Sequence, residues 1–363
     1  MTTPRIVFAC ESLSQGNGGI SRVDRLIAGI LSEEVAAGRL RARLVVLFDK
    51  LPEADAPSNL EICFCGGSRL KFVLALLRES LTSGYFIYDA AYLARAHPSF
   101  PWMKSRCMIF MMGIEVWEEC KKPWLTALRR ADLLVSISEY TRQRAASLHG
   151  GLAQATICWL ATEPDTEDLT VLSAPKRLQV LVVGRMVPEN AYKGHRELIE
   201  CWPQVLESVP EAKLVFIGRG GLVPELRKLT SDLDLNPNVE FMGFVSEGEL
   251  NEAYARSMAF AMPSRGEGFG LVYIEAMRHR LPVIASVHDA GSEVVIDGVT
   301  GILVDLDKPG DLAKSIVRLL AQAPIAKAMG EAGYQRWKEN FTYDAFRGRV
   351  LAILSQFLGQ PGR

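Results

Sequence analysis

The sequence predicts an α/β protein made of two Rossmann-like, doubly wound domains that face each other across a cleft. Three observations lead there. At 363 residues the chain exceeds what one ordinary core encloses, and about two domains is the natural count. Short apolar runs alternate with helix-period stretches along its length, the pattern of parallel sheets covered by helices. Glycine-rich polar turns follow several of these runs, at the strand ends where open α/β sheets take their ligands.

The first strand is Arg5–Cys10, followed by a polar glycine loop, Ser12 to Gly19, and helical periodicity from Ile20 to Val35. Further strands are expected at Arg43–Phe48, Tyr85–Tyr88, Cys107–Met111, Leu133–Ser136 and Ala155–Trp159. In S-I-S-E-Y-T a strand ends and Ser138 caps a helix reaching Leu148, its hydroxyl positioned for a free N–H of the first turn. This first domain spans 1–165. Ala161 to Pro175, acidic and holding two prolines, reads as the linker to a second domain at 175–342. Its strands are expected at Leu178–Val183, Lys213–Ile217, Val239–Phe241, Ala259–Met262, Pro282–Ala285 and Gly301–Val304. Helices fill the gaps at Glu197–Glu207, Pro224–Asp232, Glu247–Arg256 and Phe269–Arg280, then Asp311–Ala323 and Ile325–Asn340. Ser246 and Glu249 form a capping box for the third of these. A last helix, Tyr343 to Leu358 within 343–363, is placed to cross back to the first domain.

Apolar residues make up 48% of the chain and charged residues 23%, the balance of a soluble globular protein. The formal net charge is −1, with cations and anions spread evenly over both halves, so nucleic acid is not an expected partner. Cysteines stand at 10, 63, 65, 107, 120, 158 and 201; their number is odd and no C-x-x-C occurs. Buried free thiols in a reducing cytoplasm are expected. The opening M-T-T-P-R-I-V-F-A-C is too short in its apolar run for a signal peptide, and no run of about 18 apolar residues offers a membrane span.

Between Ser264 and Met277 the chain reads S-R-G-E-G-F-G-L-V-Y-I-E-A-M, with Glu267 and Glu275 flanking a G-F-G turn. A glycine-rich turn from strand to helix presents backbone N–H groups to open space, an anion site suited to phosphate. Two carboxylates there would repel phosphate, so each is expected to face something neutral and hydroxylated. A nucleotide sugar offers both kinds of surface.

The run E-G-F-G-L-V-Y-I-E, Glu267 to Glu275, resembles the E-x7-E signature of retaining glycosyltransferases of family four, which have the GT-B fold. The resemblance covers most of the chain and is strongest from Val183 to Val304. There G-R-M at 184–186, Y-K-G-H at 192–195, G-F-V at 243–245, L-P-V-I-A-S at 281–286 and D-G-V-T-G-I-L-V at 297–304 stand in order around the acidic motif. It implies a metal-independent enzyme, without a cofactor, that moves a sugar from a nucleotide-sugar donor to a hydroxyl acceptor with retention. Bacterial polysaccharide or glycoconjugate assembly is the implied setting, and the acceptor is a sugar or a lipid-linked sugar.

The chemistry sets demands that the resemblance assigns to residues. Negative charge grows on the departing diphosphate, and a helix N-terminus supplies roughly 0.3–1 kcal/mol to an anion. A preorganised charge-stabilising donor is worth more, about 3–4 kcal/mol. The resemblance gives that task to Arg185 and Lys193, with amides of Gly268, Phe269, Gly270, Leu271 and Val272 beside them. Glu275 matches the ligand of the ribose hydroxyls. Glu267 matches the residue that contacts the donor sugar or its reacting face. Phe244 and Val245 border the base pocket by position, although Phe244 reads equally well as core. Q-G-N-G-G-I-S-R, 15–22, resembles the glycine loop after the family's first strand, which implies that Gly18 and Gly19 let backbone approach donor phosphate and acceptor.

One position departs from the pattern. Many family members place a histidine directly before the glycine of a G-x-E-x-W-like segment; here F-M-M-G-I-E-V-W, 110–117, has Met112. A thioether neither donates a hydrogen bond nor carries a proton. Glu115 and Trp117 read as acceptor-side residues, with core packing as the other reading of Trp117. Met112 keeps a second function open, a non-catalytic nucleotide-sugar binding protein of the same fold. A nicotinamide dehydrogenase would need the G-x-G-x-x-G that is missing here. A glycosidase using the two glutamates would leave the anion site idle.

The histidines, 97, 149, 195, 279 and 288, show no i, i+4 pair and no accompanying carboxylate cluster. The D-x-D triplets at 232–234 and 305–307 read as turns, so no metal is expected. The segment R-L-K-F-V-L-A-L-L-R, 69–78, has two readings: a peripheral contact at the inner face of the membrane, or a helix covering the sheet. Trp102, Met103, Trp117 and Trp124 fall where acceptor specificity is expected to reside.

Overall fold

The computed structural model of the protein describes residues 3–15, 18–51, 57–99, 105–164 and 175–359. Gly16 and Asn17 of the first glycine loop, Trp102, Met103 and positions 165–174 of the linker lie outside the described residues. The chain divides into two compact units, Met1–Glu163 with Tyr343–Arg363, and Pro164–Thr342.

The first unit holds a seven-stranded sheet in the order β3-β2-β1-β4-β5-β6-β7. Its strands are β1 (Arg5–Cys10), β2 (Arg41–Val46), β3 (Glu61–Phe64), β4 (Tyr85–Tyr88), β5 (Arg106–Met111), β6 (Leu133–Ser136) and β7 (Thr156–Ile157). All neighbours are parallel. Ile6 to Cys10 are fully buried, because β1 sits mid-sheet with helices on both faces. The helices are α1 (Gly19–Ala36), α2 (Arg69–Glu79), α3 (Ala91–Ala94), α4 (Lys122–Arg130) and α5 (Glu139–His149). Ser138 caps α5 by accepting the Thr141 amide. The short edge strand β3 and helices α3 and α4 were not read from sequence.

The second unit has six parallel strands in the order β10-β9-β8-β11-β12-β13. These are β8 (Gln179–Val183), β9 (Lys213–Ile217), β10 (Val239–Gly243), β11 (Ala259–Ala261), β12 (Val283–Ser286) and β13 (Gly301–Val304). Its helices are α6 (His195–Ser208), α7 (Val223–Asp232), α8 (Glu247–Arg256), α9 (Leu271–Arg278), α10 (Gly291–Val294), α11 (Asp311–Ala321) and α12 (Ala323–Asn340). The capping box at α8 has both of its bonds, Glu249 N–H to Ser246 Oγ and Ser246 N–H to Glu249 Oε2. Strand order reverses between β1 and β4 in one sheet and between β8 and β11 in the other. Those are the switch points at which sheets of this kind bind ligands.

A final helix, α13 (Tyr343–Gly359), packs on the first unit. Phe346, Val350, Ile353, Leu354 and Phe357 form its buried stripe. Tyr343 and Arg347 both donate to Glu33 of α1, and Phe357 meets Tyr85 of β4 edge to face at 5.6 Å. All seven cysteines are free thiols. Among the described residues no helix is long and apolar enough to cross a membrane.

Candidate functional site

The chain leaves β8 through Gly184, Arg185 and Met186, makes a short 3-10 turn over Pro188–Lys193 and enters α6 at Gly194. Gly194 has φ 79°, and a side chain there would run into the Pro263 carbonyl just beyond β11. That close approach sets Lys193 beside the 264–267 loop. The Arg265 amide donates to the Tyr192 carbonyl at 2.9 Å, and the Tyr192 ring lies against Gly266. Lys193 Nζ then meets Glu267 Oε2 at 3.0 Å, with the two side chains 15% and 19% exposed. Arg185 is exposed and, among the described residues, has no ion pair. Its charge lowers the Tyr192 phenol, which burial and Glu267 nevertheless push up to about 12.

Helix α9 starts at the far side of the same loop. Gly270 precedes it with φ 92°, and a Cβ there would strike the Tyr273 ring. Helix geometry leaves the amides of Leu271 and Val272 without an intrahelical carbonyl, so they face outward with the positive end of the helix. Phe269 is buried against Phe341 and offers only its backbone. On α9, Glu275 Oε2 accepts from the Tyr254 hydroxyl at 3.1 Å. Tyr254 stacks in turn on His279 at 4.7 Å, and burial, then Arg278 and Lys176, lower that imidazole to about 3.

Asp289, not singled out from sequence, holds this loop in place. It is fully buried, and its carboxylate accepts from the Glu267 amide at 2.8 Å and the Gly291 amide at 2.9 Å. Burial pushes its carboxyl up to about 7; the two amides act against that shift and the Glu267 charge adds to it. The available signal was positional, since Asp289 follows β12 at the edge where the glycine loops lie.

Phe244, read as base-pocket border or core, is not core: it is 70% exposed, and the Arg219 guanidinium lies 4.2 Å from its ring centre. Val245 beside it is half-buried. The histidine reading also needs correction. His288 is accompanied by carboxylates, with Nε2 3.2 Å from Asp305 and 3.9 Å from Asp307. The ends of β12 and β13 bring together residues that sequence spacing keeps apart. Both carboxylates have cationic partners, Lys308 at 3.2 Å and Arg265 at 2.7 Å, and Nε2 accepts the Leu306 amide. A 660 Å³ cavity lined by Gln179, Lys213 and Val239 lies at the opposite edge of this sheet, and none of Arg185, Lys193, Glu267 and Glu275 lines it.

In the first unit, Gly18 (φ 101°) precedes α1 and Gly19 is its first residue. Met112 is 9% exposed, and its amide donates to Glu115. Burial raises the Glu115 carboxyl, while the amides of Met112, Glu115 and Gly113 hold it back. Trp117 is in the core, its indole N–H donating to Thr141 at 3.2 Å, so its ring faces protein. Glu11 and Asp89, unnoticed in sequence, directly follow the switch-point strands β1 and β4. Asp89 accepts the Glu11 amide at 2.7 Å and is pushed up to about 8, by burial first and then by Glu11. Burial first, and then Asp89, raises the Asp24 carboxyl well above the usual carboxylate range.

Two doubly wound parallel sheets with an E-x7-E segment at a switch point define the class, a glycosyltransferase of the GT-B fold. Residues 166–336 match the model of the family described as Glycosyl transferases group 1. The chain is 32% identical over 252 residues to a GDP-mannose-dependent alpha-(1-6)-phosphatidylinositol monomannoside mannosyltransferase of Mycolicibacterium smegmatis, covering 63% of this chain and 65% of that one. To the Mycobacterium tuberculosis protein of the same description it is 30% identical over 272 residues, covering 69% of each. Among solved structures, sucrose-phosphate synthase from Thermosynechococcus elongatus superposes with TM-score 0.77 at 20% identity over 98% of this chain and 99% of that one. The chain belongs to the glycosyl transferases group 1 family.

Proposed function

We propose that the protein is a metal-independent, retaining glycosyltransferase that moves a hexose from a nucleoside-diphosphate sugar to a hydroxyl of a sugar or lipid-linked glycoconjugate. The observation that carries this is the Lys193–Glu267 pair beside the start of α9, with Arg185, which has no ion pair among the described residues, on the same strand-to-helix connection as Lys193. An arriving diphosphate gives Lys193 a doubly charged partner in place of Glu267. The exchange releases the Glu267 carboxylate to accept from sugar hydroxyls. Arg185 and the outward amides of α9 share the charge that builds on the leaving group. Glu275 accepts from the ribose hydroxyls, and the departing phosphate takes the acceptor proton, so no protein base is demanded.

The mannosyltransferase relatives make GDP-mannose the first donor to test, and bacterial glycoconjugate assembly in the cytoplasm, at the inner membrane face, the setting. The carboxylates near His288 already have cationic partners, which supports turnover without a metal. The test is release of nucleoside diphosphate from GDP-mannose and UDP-sugars with a pool of lipid and sugar acceptors, with and without EDTA. Turnover that EDTA leaves intact, with the anomeric configuration retained by NMR, is expected. Because Met112 stands where many family members carry histidine, binding without turnover would instead favour the non-catalytic reading.

A further inference from the structure

Between helix α4 and the segment that follows α3, the first unit holds a 390 Å³ cavity. It lies toward the amino edge of the sheet, since Ser105 and Asp132 in its wall directly precede β5 and β6. Gly18, Gly19 and the Met112 turn are at the other, carboxyl edge. His97 stands in the wall with its ring edge-on to Phe86 at 5.1 Å and to Tyr88 at 5.8 Å. Ser105 gives its proton to the Pro98 carbonyl at 3.1 Å. Nε2–H of His97 therefore donates to Ser105 Oγ at 3.1 Å, and Nδ1 accepts the Tyr88 hydroxyl at 3.0 Å. Burial lowers this imidazole to about 4, so it carries no charge at neutral pH.

The hydroxyls of the wall have all placed their protons within the protein. Ser99 donates to the His97 carbonyl at 3.3 Å and Thr126 to the Lys122 carbonyl at 2.8 Å, as Ser105 does to Pro98. Each oxygen keeps lone pairs for a further donor. Positive charge comes from Arg95 and Arg130, which line the cavity, are exposed and form no ion pair among the described residues. The one carboxylate of the wall, Asp132, accepts the Cys107 amide at 2.8 Å and stands 3.9 Å from Arg106 Nε. Two guanidinium groups suit a dianion, and oxygens that can only accept suit a ligand rich in O–H donors. A phosphate monoester supplies roughly −1.5 to −2 charges at pH 7. A sugar attached to it supplies the hydroxyls, with C–H faces for the methyls of Ala94 and Ala127. The volume is near the small end for small-molecule sites and holds one such ligand.

We propose that this cavity is a binding site for a sugar phosphate, with the phosphate held by Arg95 and Arg130 and the sugar hydroxyls donating to Ser99, Ser105 and Thr126. Helix α3 begins just past Asp89, and α4 follows the turn that holds Met112 and Glu115. A ligand between them joins the two segments that run back from the carboxyl edge. Arg185, Lys193, Glu267 and Glu275 all belong to the other unit, so the site goes beyond the donor-side reading and can fail without it.

The full chain is titrated in a calorimeter with glucose and mannose as their 1- and 6-phosphates, with the free sugars and with inorganic phosphate. Each titration is repeated with GDP and with UDP present in excess, and on Lys193→Ala, to keep the diphosphate site out of the signal. At least one sugar phosphate is expected to bind equally well under all of these conditions. Arg95→Gln and Arg130→Gln should each weaken that binding about tenfold, the loss of one charge-assisted contact. The free sugars and inorganic phosphate should bind at least about tenfold more weakly than the ester, since each offers one half of the ligand. Both arginines are exposed, so circular dichroism and nucleoside-diphosphate binding stay as in the wild type. Absence of binding by every sugar phosphate overturns the proposal, as does binding that GDP, UDP or Lys193→Ala abolishes. So does an affinity that either arginine variant leaves unchanged, or one that inorganic phosphate matches.

Discussion

Tyr254→Phe removes one oxygen and with it the 3.1 Å hydrogen bond to Glu275. Tyr254 is 1% exposed and stacked on His279, so the phenylalanine ring keeps the packing and only the donor is lost. A hydrogen bond to a charged acceptor is worth about 1.5–3 kcal/mol. Part of that is recovered if water reaches the half-buried Glu275, leaving about 1.4 kcal/mol, or tenfold, in how firmly the carboxylate is aimed. Ribose is remote from the breaking bond, so the loss should raise the donor KM roughly tenfold and leave kcat almost unchanged. Calorimetry with nucleoside diphosphate and its 2′-deoxy analogue sharpens the question. Wild type should prefer the ribose form, and the variant should lose most of that preference. An undiminished preference for ribose in Tyr254→Phe would refute the assignment of Glu275 to the ribose, whatever happened to KM.

Other expectations concern the same unit. Lys193→Ala should lower kcat/KM by about 3–4 kcal/mol, several hundredfold, while the protein stays folded by circular dichroism; near-normal turnover would remove Lys193 from the diphosphate site. Asp289 is raised to about 7 in the folded state against about 4 when unfolded, so its stabilising contribution is present at low pH and lost on going from pH 4 to pH 7. Stability should therefore fall over that window by about 1.4 kcal/mol per pH unit for this group, and Asp289→Asn should flatten the slope in denaturant titrations at pH 5 and pH 7. Gly270→Ala places a Cβ against the Tyr273 ring at positive φ, a cost of about 1–3 kcal/mol. Its melting midpoint should drop by roughly 4–8 °C, and an unchanged midpoint would show that the α9 entry relaxes.

Strands such as Arg5–Cys10 and Lys213–Ile217 were legible because a parallel strand buried on both faces needs an unbroken apolar run, and little else produces one. Edge strand β3 has only E-I-C-F, half-buried, so its sequence carries little of that signal. Helix α4 opens on Lys122-Pro123, where proline suits a first turn but reads locally as a break. The E-x7-E segment announced itself, yet the contact of Glu267 with Lys193 spans 74 positions and depends on β8 and β11 being neighbours. The same holds for Tyr254 with Glu275 and for His288 with Asp305. Strand order creates these pairs, and no local spacing encodes strand order.

The return of α13 to the first unit has a consequence for biogenesis. Pro164–Thr342 is contiguous and can acquire its fold as soon as it has left the ribosome. The other unit, begun earlier, must wait for Tyr343–Gly359 to be synthesised before Phe346, Val350 and Phe357 can seal it. The half translated first is thus the half completed last, and in the interval its unsealed α13 seat leaves apolar surface open to water.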